Sequence, residues 1–361
     1  MILINKLKTK EARIIKFEDL VDDFFDKVQP AQVKRLKKKL FKGRPSLLIN
    51  RKKKIEFINV LIRDHSDLIK GTPSKLQNKI EEYELNGFNQ LLFDQTANKG
   101  KGAQTSFGEL IEILFGYGPF RNSTHAVWLA EQLNIRACPY CNAQYILSYS
   151  KSDKPSFIER LFPKKERELE RAMFEYDHFF PKSRYPYLST SIYNLIPACK
   201  PCNLSKSNIP TDLVNYVHPY HRDFNSMFEF DCSDKDVVDF LLSKKKFSAI
   251  EVQINNRKNS NFDTVLKNHI ELFDLDKIYQ MHKDIIEELY LKSYYYNKTR
   301  QTELLKMKIH GTNENLFSEE MLARFILGNY ALDSDINNRP LAKMTKDIAE
   351  KIELLDFLKK S

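Results

Sequence analysis

The amino-acid sequence predicts an α+β protein, a small ββα module with a four-cysteine metal site flanked by mostly α-helical regions. Three observations predict it. Apolar residues recur at helical spacing through both outer parts of the chain. Two strand-like runs and a short helix occupy the middle. Two C-x-x-C pairs bracket that middle segment. The shifts in pattern divide the chain into a helical N-terminal region, 1–118, a cysteine-bracketed module, 119–210, and a helical C-terminal region, 211–361.

In the N-terminal region, Phe17, Leu20, Val21, Phe24 and Phe25 follow the i, i+3, i+4, i+7, i+8 rule of one helix face. Ile55 to Ile69 repeats it through Ile58, Leu61, Ile62 and Leu68, and Phe107 to Phe115 through Leu110, Ile111 and Leu114. Between the first two lies a basic block, Lys34 to Lys54, with eleven Lys or Arg and no acidic residue. A solvated helix face is the plain explanation, but such faces usually interleave Glu. Lys37, Lys38 and Lys39 are therefore candidates for phosphate contact. Asn98-Lys99-Gly100-Lys101-Gly102 reads as an exposed loop.

The module opens with a helix, Thr124 to Leu133. A knuckle at Cys138–Cys141, a strand-like run Gln144 to Tyr149, a charged insertion Lys151 to Arg171 and a second strand-like run Ala172 to Tyr176 follow. Beyond it, Phe262 to Phe273, Lys277 to Tyr295, Glu319 to Leu327 and Met344 to Leu358 have helical periodicity, and Ser248 to Ile254 alone reads as a strand.

The chain has 361 residues, a net charge of +10 and 42% hydrophobic residues, enough to bury real cores. The charge favours a polyanionic partner, nucleic acid first, although many proteins are mildly basic for no special reason. No apolar run approaches the roughly 18 residues of a membrane span, and the start lacks a secretory signal, so no membrane association and a cytoplasmic location are expected.

Cys138-Pro-Tyr-Cys141 and Cys199-Lys-Pro-Cys202 stand 57 residues apart. A C-x-x-C turn directs two thiolates at one tetrahedral ion, and two such turns close a structural Zn²⁺ site with no position open for water. A redox C-x-x-C is the competing reading of either pair alone. Cys232 has no sequence partner and reads as a small core residue.

Between the pairs stands Tyr176-Asp177-His178-Phe179-Phe180-Pro181-Lys182-Ser183, then Asn194-Leu195-Ile196-Pro197, then Cys199-Lys200-Pro201-Cys202-Asn203-Leu204-Ser205-Lys206. The order D-H-x-x-P-K, N-L, C-x-x-C-N-x-x-K resembles the HNH (ββα-metal) endonuclease family, specifically its zinc-stapled branch with Asn in place of the last His. The resemblance covers about 90 residues. It implies a phosphodiesterase, DNA favoured over RNA, with Asp177 as a ligand of a catalytic metal, His178 as general base and Asn194 holding the loop that orients His178.

Such hydrolysis needs a base to activate water, a cation at the scissile phosphate and a donor for the leaving oxygen. A neutral imidazole suits the first role. Asp177 and His178 are neighbours on a strand, so ideal geometry points them to opposite sides; the resemblance implies a bend at the strand end that brings both to one cleft. The Asn203 amide oxygen is a hard ligand that favours Mg²⁺ or Mn²⁺. Lys206, three residues on, and Lys182 and Arg184 on the loop are candidates for phosphate contact. Each residue alone has a plain reading as well: an Asp-His surface pair, an Asn that caps a helix.

Ala137-Cys138-Pro139-Tyr140-Cys141-Asn142 and the Phe180–Ser183 and Asn194–Pro197 segments also resemble bacterial HNH proteins that accompany an ATPase in antiphage defence, such as nuclease subunits of Septu-type and some retron systems. That resemblance implies an ATPase protein partner. The G-x-x-x-x-G-K-[ST] signature is absent from the sequence, which assigns any ATP-driven step to that partner. The rival expectation is a catalytically inactive, zinc-organised nucleic-acid-binding or scaffold protein.

Overall fold

The computed structural model describes residues 21–27, 49–151, 169–242, 250–257 and 262–360. Lys37, Lys38 and Lys39 and most of the 151–171 insertion lie outside them. The fold is mixed α/β, with four two-stranded antiparallel sheets and many helices among the described residues. Among the described residues no helix is long and apolar enough to cross a membrane.

Contacts divide the chain into two compact units. The first holds the described residues of Leu7–Asn134 and Ile146–Val214. The second gathers Ile135–Tyr145 with Asn215–Ser361. The described residues of sequence segments 1–118 and 119–210 thus share one unit, apart from the eleven residues of the first cysteine knuckle.

In the first unit, α1 (Arg51–Arg63) and α2 (His65–Lys70) replace the single helix expected over 55–69. The chain breaks at Asp64, whose buried carboxylate accepts from Arg63, Lys79 and the Tyr83 hydroxyl. α3 (Pro73–Leu85) starts on a Thr72 cap with Pro73 in its first turn. A small hairpin, β1 (Phe93–Asp94) with β2 (Ala103–Gln104), carries the Asn98–Gly100 turn at its tip.

α4 (Ser106–Phe115) is capped by Thr105 and ends at Gly116, whose φ of 73° is left-handed and suits glycine. Then come α5 (Tyr117–Arg121) and α6 (Thr124–Leu133). β3 (Ser148–Lys151) pairs with β4 (Leu169–Ala172), which corrects the run expected to start at Gln144. Tyr145 makes only an isolated bridge to Ala137. β5 (Glu175–His178) pairs with β6 (Leu195–Ala198), and α7 (Lys200–Lys206) follows, which completes the ββα element.

An aromatic cluster ties that element to the N-terminal helices. Phe57 stacks on Phe88 at 4.7 Å, and Tyr83 meets both Phe57 and Tyr187 edge-on. Tyr187 comes from the β5–β6 loop and is fully buried. Several close aromatic pairs, each of roughly 0.5–1.5 kcal/mol beyond their burial, anchor the loop to the helices.

The second unit contains α8 (Phe224–Met227), the hairpin β7 (Phe228–Cys232) and β8 (Val252–Asn256), and α9 (Asp234–Leu241) between them. α10 (Asp263–Phe273), α11 (Leu275–Gln280), α12 (Lys283–Tyr295), α13 (Lys298–Lys306), α14 (Glu319–Leu327) and α15 (Ala342–Lys351) complete it. β7 and α13 were not expected, and the 277–295 helix is broken at Met281–His282. Lys343 on α15 is buried but bonded to both Asp347 and Asn225, so its charge is matched. Asn142, just after the first knuckle, receives the Lys343 N–H and donates to Ile336 O, which fixes the knuckle's end. His218 is buried in a turn, its Nδ1 accepting from Tyr220 N, as a structural histidine would be.

Candidate active site

The knuckles are shaped by ordinary turn chemistry. Cys138 N–H donates to Gln144 O, and Asn142 N–H returns to Cys138 O at a left-handed φ of 51°. Ala143 N–H points at the Cys141 sulfur, 3.4 Å away. Cys199 precedes the first turn of α7, with Pro201 inside it and Asn203 N–H closing onto Cys199 O. The four sulfurs all lie within 4.8 Å of one another, and all four residues are buried. A tetrahedral ion with Zn–S bonds near 2.3 Å sets sulfur–sulfur edges of about 3.8 Å, so the cluster can hold a metal ion such as zinc. No disulfide links these cysteines, and the convergence of both pairs on one point is what a lone redox pair does not require. Cys232 stands apart, buried on β7 with its sulfur 3.7 Å from the Tyr290 hydroxyl.

Strand alternation dictates the rest. Asp177 and Glu175 lie two apart on β5 and so share a face. On the Asp177 face runs α7. Lys206 Nζ sits 3.4 Å from Asp177 Oδ1 and also donates to the His178 carbonyl. Asn203 Nδ2 donates to Glu175 Oε2, and Arg121 approaches the other Glu175 oxygen at 4.0 Å. Lys206 is 1% exposed, so it does not extend into solvent to meet a phosphate as the spacing suggested. Burial pulls its ammonium below the ordinary lysine value, and Asp177 opposes that pull.

His178 is the last residue of β5. Its Nε2 meets Ser189 O at 2.9 Å, and its ring lies edge-on to Tyr117 at 4.5 Å. A carbonyl oxygen only accepts, so Nε2 carries the proton and Nδ1 holds the lone pair. Burial drives the imidazole down to about 3; the Ser189 bond resists, while Lys182, Lys206 and Arg121 add to the lowering. Asn194, wholly buried, accepts the Phe180 N–H at 2.7 Å and donates to Phe180 O and Leu188 O, both at 3.0 Å. It thereby closes the loop that begins at His178 and carries Ser189.

The structure therefore groups Asp177, His178, Asn194 and Lys206 around the end of β5, with Asn203 beside Glu175 one step away. Lys182 and Arg184 go elsewhere. Lys182 pairs with Glu112 at 2.5 Å, and the Arg184 guanidinium lies over the Phe93 ring at 4.6 Å. Glu175 escaped the sequence reading although its signal was there, two residues before Asp177 on a strand. Tyr117 carried no such signal, because its approach to His178 is tertiary. Asp177, Glu175 and Asn203 offer two carboxylates and an amide on one side of the element. That is a hard-oxygen set that fits Mg²⁺ or Mn²⁺ in chemistry. Comparison with protein-family models, with curated proteins and with solved structures finds no match to this chain.

Proposed function

We propose that the chain is a metal-dependent endonuclease of the HNH type that hydrolyses phosphodiester bonds of nucleic acid, DNA ahead of RNA. The observation that carries this reading is one ββα element that unites a buried Asp177, a neutral His178 and an Asn194-closed loop next to a four-thiol cluster. Zn²⁺ in the thiol cluster has a structural role. Asp177, Glu175 and Asn203 would hold the catalytic Mg²⁺ or Mn²⁺, which supplies positive charge to a phosphate oxygen. His178 Nδ1 takes the proton of the attacking water, since Nε2–H is committed to Ser189 O. A base whose conjugate acid titrates near 3 is weak, and an incoming phosphate strengthens it by favouring the charged form. Tyr117 and Asn194 position the ring and its loop. The resemblances in sequence add an ATPase partner and a place in antiphage defence to the proposal, and the sequence expectation of a cytoplasmic setting goes with them.

Two observations favour the rival, a zinc-organised nucleic-acid-binding or scaffold protein that cuts nothing. Lys206 already neutralises Asp177, and the His178 side chain is almost fully covered. Incubation of purified protein with supercoiled plasmid, with and without Mg²⁺ or Mn²⁺, separates the two. The nuclease reading expects relaxed or linear product only with the divalent ion. Absence of product with either ion, with the ATPase partner supplied, favours the scaffold.

A further inference from the structure

Three residues beyond Pro181, the loop that leaves His178 reaches a cavity of about 680 Å³ within the first unit. That volume lies in the range of small-molecule sites. Its lining includes Glu81, Glu84, Phe93, Asp94, Arg184 and Tyr185. The Arg184 guanidinium is spread over the Phe93 ring, and its Nε is buried with no hydrogen-bond partner among the described residues. Gly102, at a φ of +78°, lets the Phe93 ring lie against the hairpin backbone, because a Cβ there would come within 2.3 Å of that ring. The platform is thus fixed from behind: glycine, then ring, then guanidinium. An Arg plane backed in this way offers its other face for stacking.

The charges decide what stacks there. Three carboxylates on the walls repel a phosphate, and the presence of Arg184 among them disfavours a bare cation. A neutral, planar, amine-bearing group suits both: its π-face meets the guanidinium and its exocyclic N–H groups meet carboxylates. We propose that this cavity takes one unpaired nucleobase, with adenine, cytosine or guanine favoured over thymine, which has no exocyclic amine. The proposal rests on the nucleic-acid reading above and deepens it by naming which part of the strand is recognised and by which residues. Arg184 then acts as a base-stacking residue and not, as its place in the sequence suggested, as a phosphate contact.

The test is fluorescence anisotropy of labelled eight-nucleotide homopolymers, dA8, dC8 and dT8, with wild type, Arg184→Lys, Arg184→Ala and Glu84→Gln with Asp94→Asn, without divalent ion. Wild type is expected to bind dA8 and dC8 more tightly than dT8. Arg184→Lys keeps the charge but loses the plane, so it should weaken dA8 by about 5- to 100-fold, as much as Arg184→Ala. The paired carboxamide variant should narrow the gap between dA8 and dT8. Equal wild-type affinity for dA8 and dT8, or an Arg184→Lys variant that binds as wild type does, overturns the proposal. Failure here is distinguishable from failure of the nuclease reading. Base-blind binding by a protein that still cuts plasmid removes only the pocket, and base-selective binding by a protein that never cuts removes only the catalysis.

Discussion

Replacing Asn194 by Ala removes three hydrogen bonds at once from a fully buried position. The Phe180 N–H, the Phe180 carbonyl and the Leu188 carbonyl each lose their side-chain partner. An orphaned buried backbone group costs about 1–3 kcal/mol, and the loop can relax to recover part of it. A total loss of about 3–5 kcal/mol follows, at the upper end of what single substitutions do. Asn203→Ala is the internal control, since Asn203 is half-buried and its one side-chain bond here is to Glu175, with an expected loss below about 1 kcal/mol. Urea unfolding followed by circular dichroism measures both. If Asn194→Ala loses less than about 1 kcal/mol, or Asn203→Ala loses as much as Asn194→Ala, the loop is not held as described.

Other consequences are equally direct. Purified protein should carry about one zinc per chain by elemental analysis, lost with Cys199→Ser and kept with Cys232→Ser. Lys206→Ala should destabilise by about 3–5 kcal/mol, because it leaves the Asp177 carboxylate buried without its ammonium; urea unfolding at neutral pH reads this. Burial lowers both His65 and His269 from 6.5 to about 4, so the unfolded chain binds more protons than the folded one between those values. The contribution of these two histidines should therefore be full above pH 6.5, fall as pH drops to about 4 and level off below, by at most about 3 kcal/mol for each, while His178, lowered to about 3, extends its own loss further down. Unfolding midpoints taken across that range should show a shallower decline in His65→Gln; an unchanged decline contradicts the assignment.

Much of the site was legible because it rests on local rules. Two C-x-x-C turns converge wherever the chain lets them, and Asn194 and the helix after Cys199 follow from one contiguous motif, whereas β6 (Leu195–Ala198) was not read as a strand and pairs with β5 in place of the 144–149 run. α4, α6 and α14 matched their periodicity because caps such as Thr105 and Ser318 sit where the apolar pattern begins. β7 was missed although Phe228, Phe230 and Cys232 alternate inward along it, a weak signal in so short a strand. Lys206 was misread for a different reason. Its spacing from Asn203 placed it on the right helix face, but whether that face met solvent or Asp177 depends on a contact 29 residues away in sequence. Arg184 likewise found Phe93 across a long loop, which no spacing rule encodes. Glu175 was readable by alternation alone.

The central claim is that His178 acts as the base of a divalent-metal-dependent phosphodiesterase, and plasmid cleavage by His178→Ala tests it most directly. The wild type, with whatever partner it needs, should relax or linearise supercoiled plasmid in Mg²⁺ or Mn²⁺. His178→Ala should lose that cleavage while it retains zinc and binding of the same plasmid, since the substitution removes the Nδ1 lone pair and leaves the thiol cluster intact. Cleavage by His178→Ala at the wild-type rate would contradict the account.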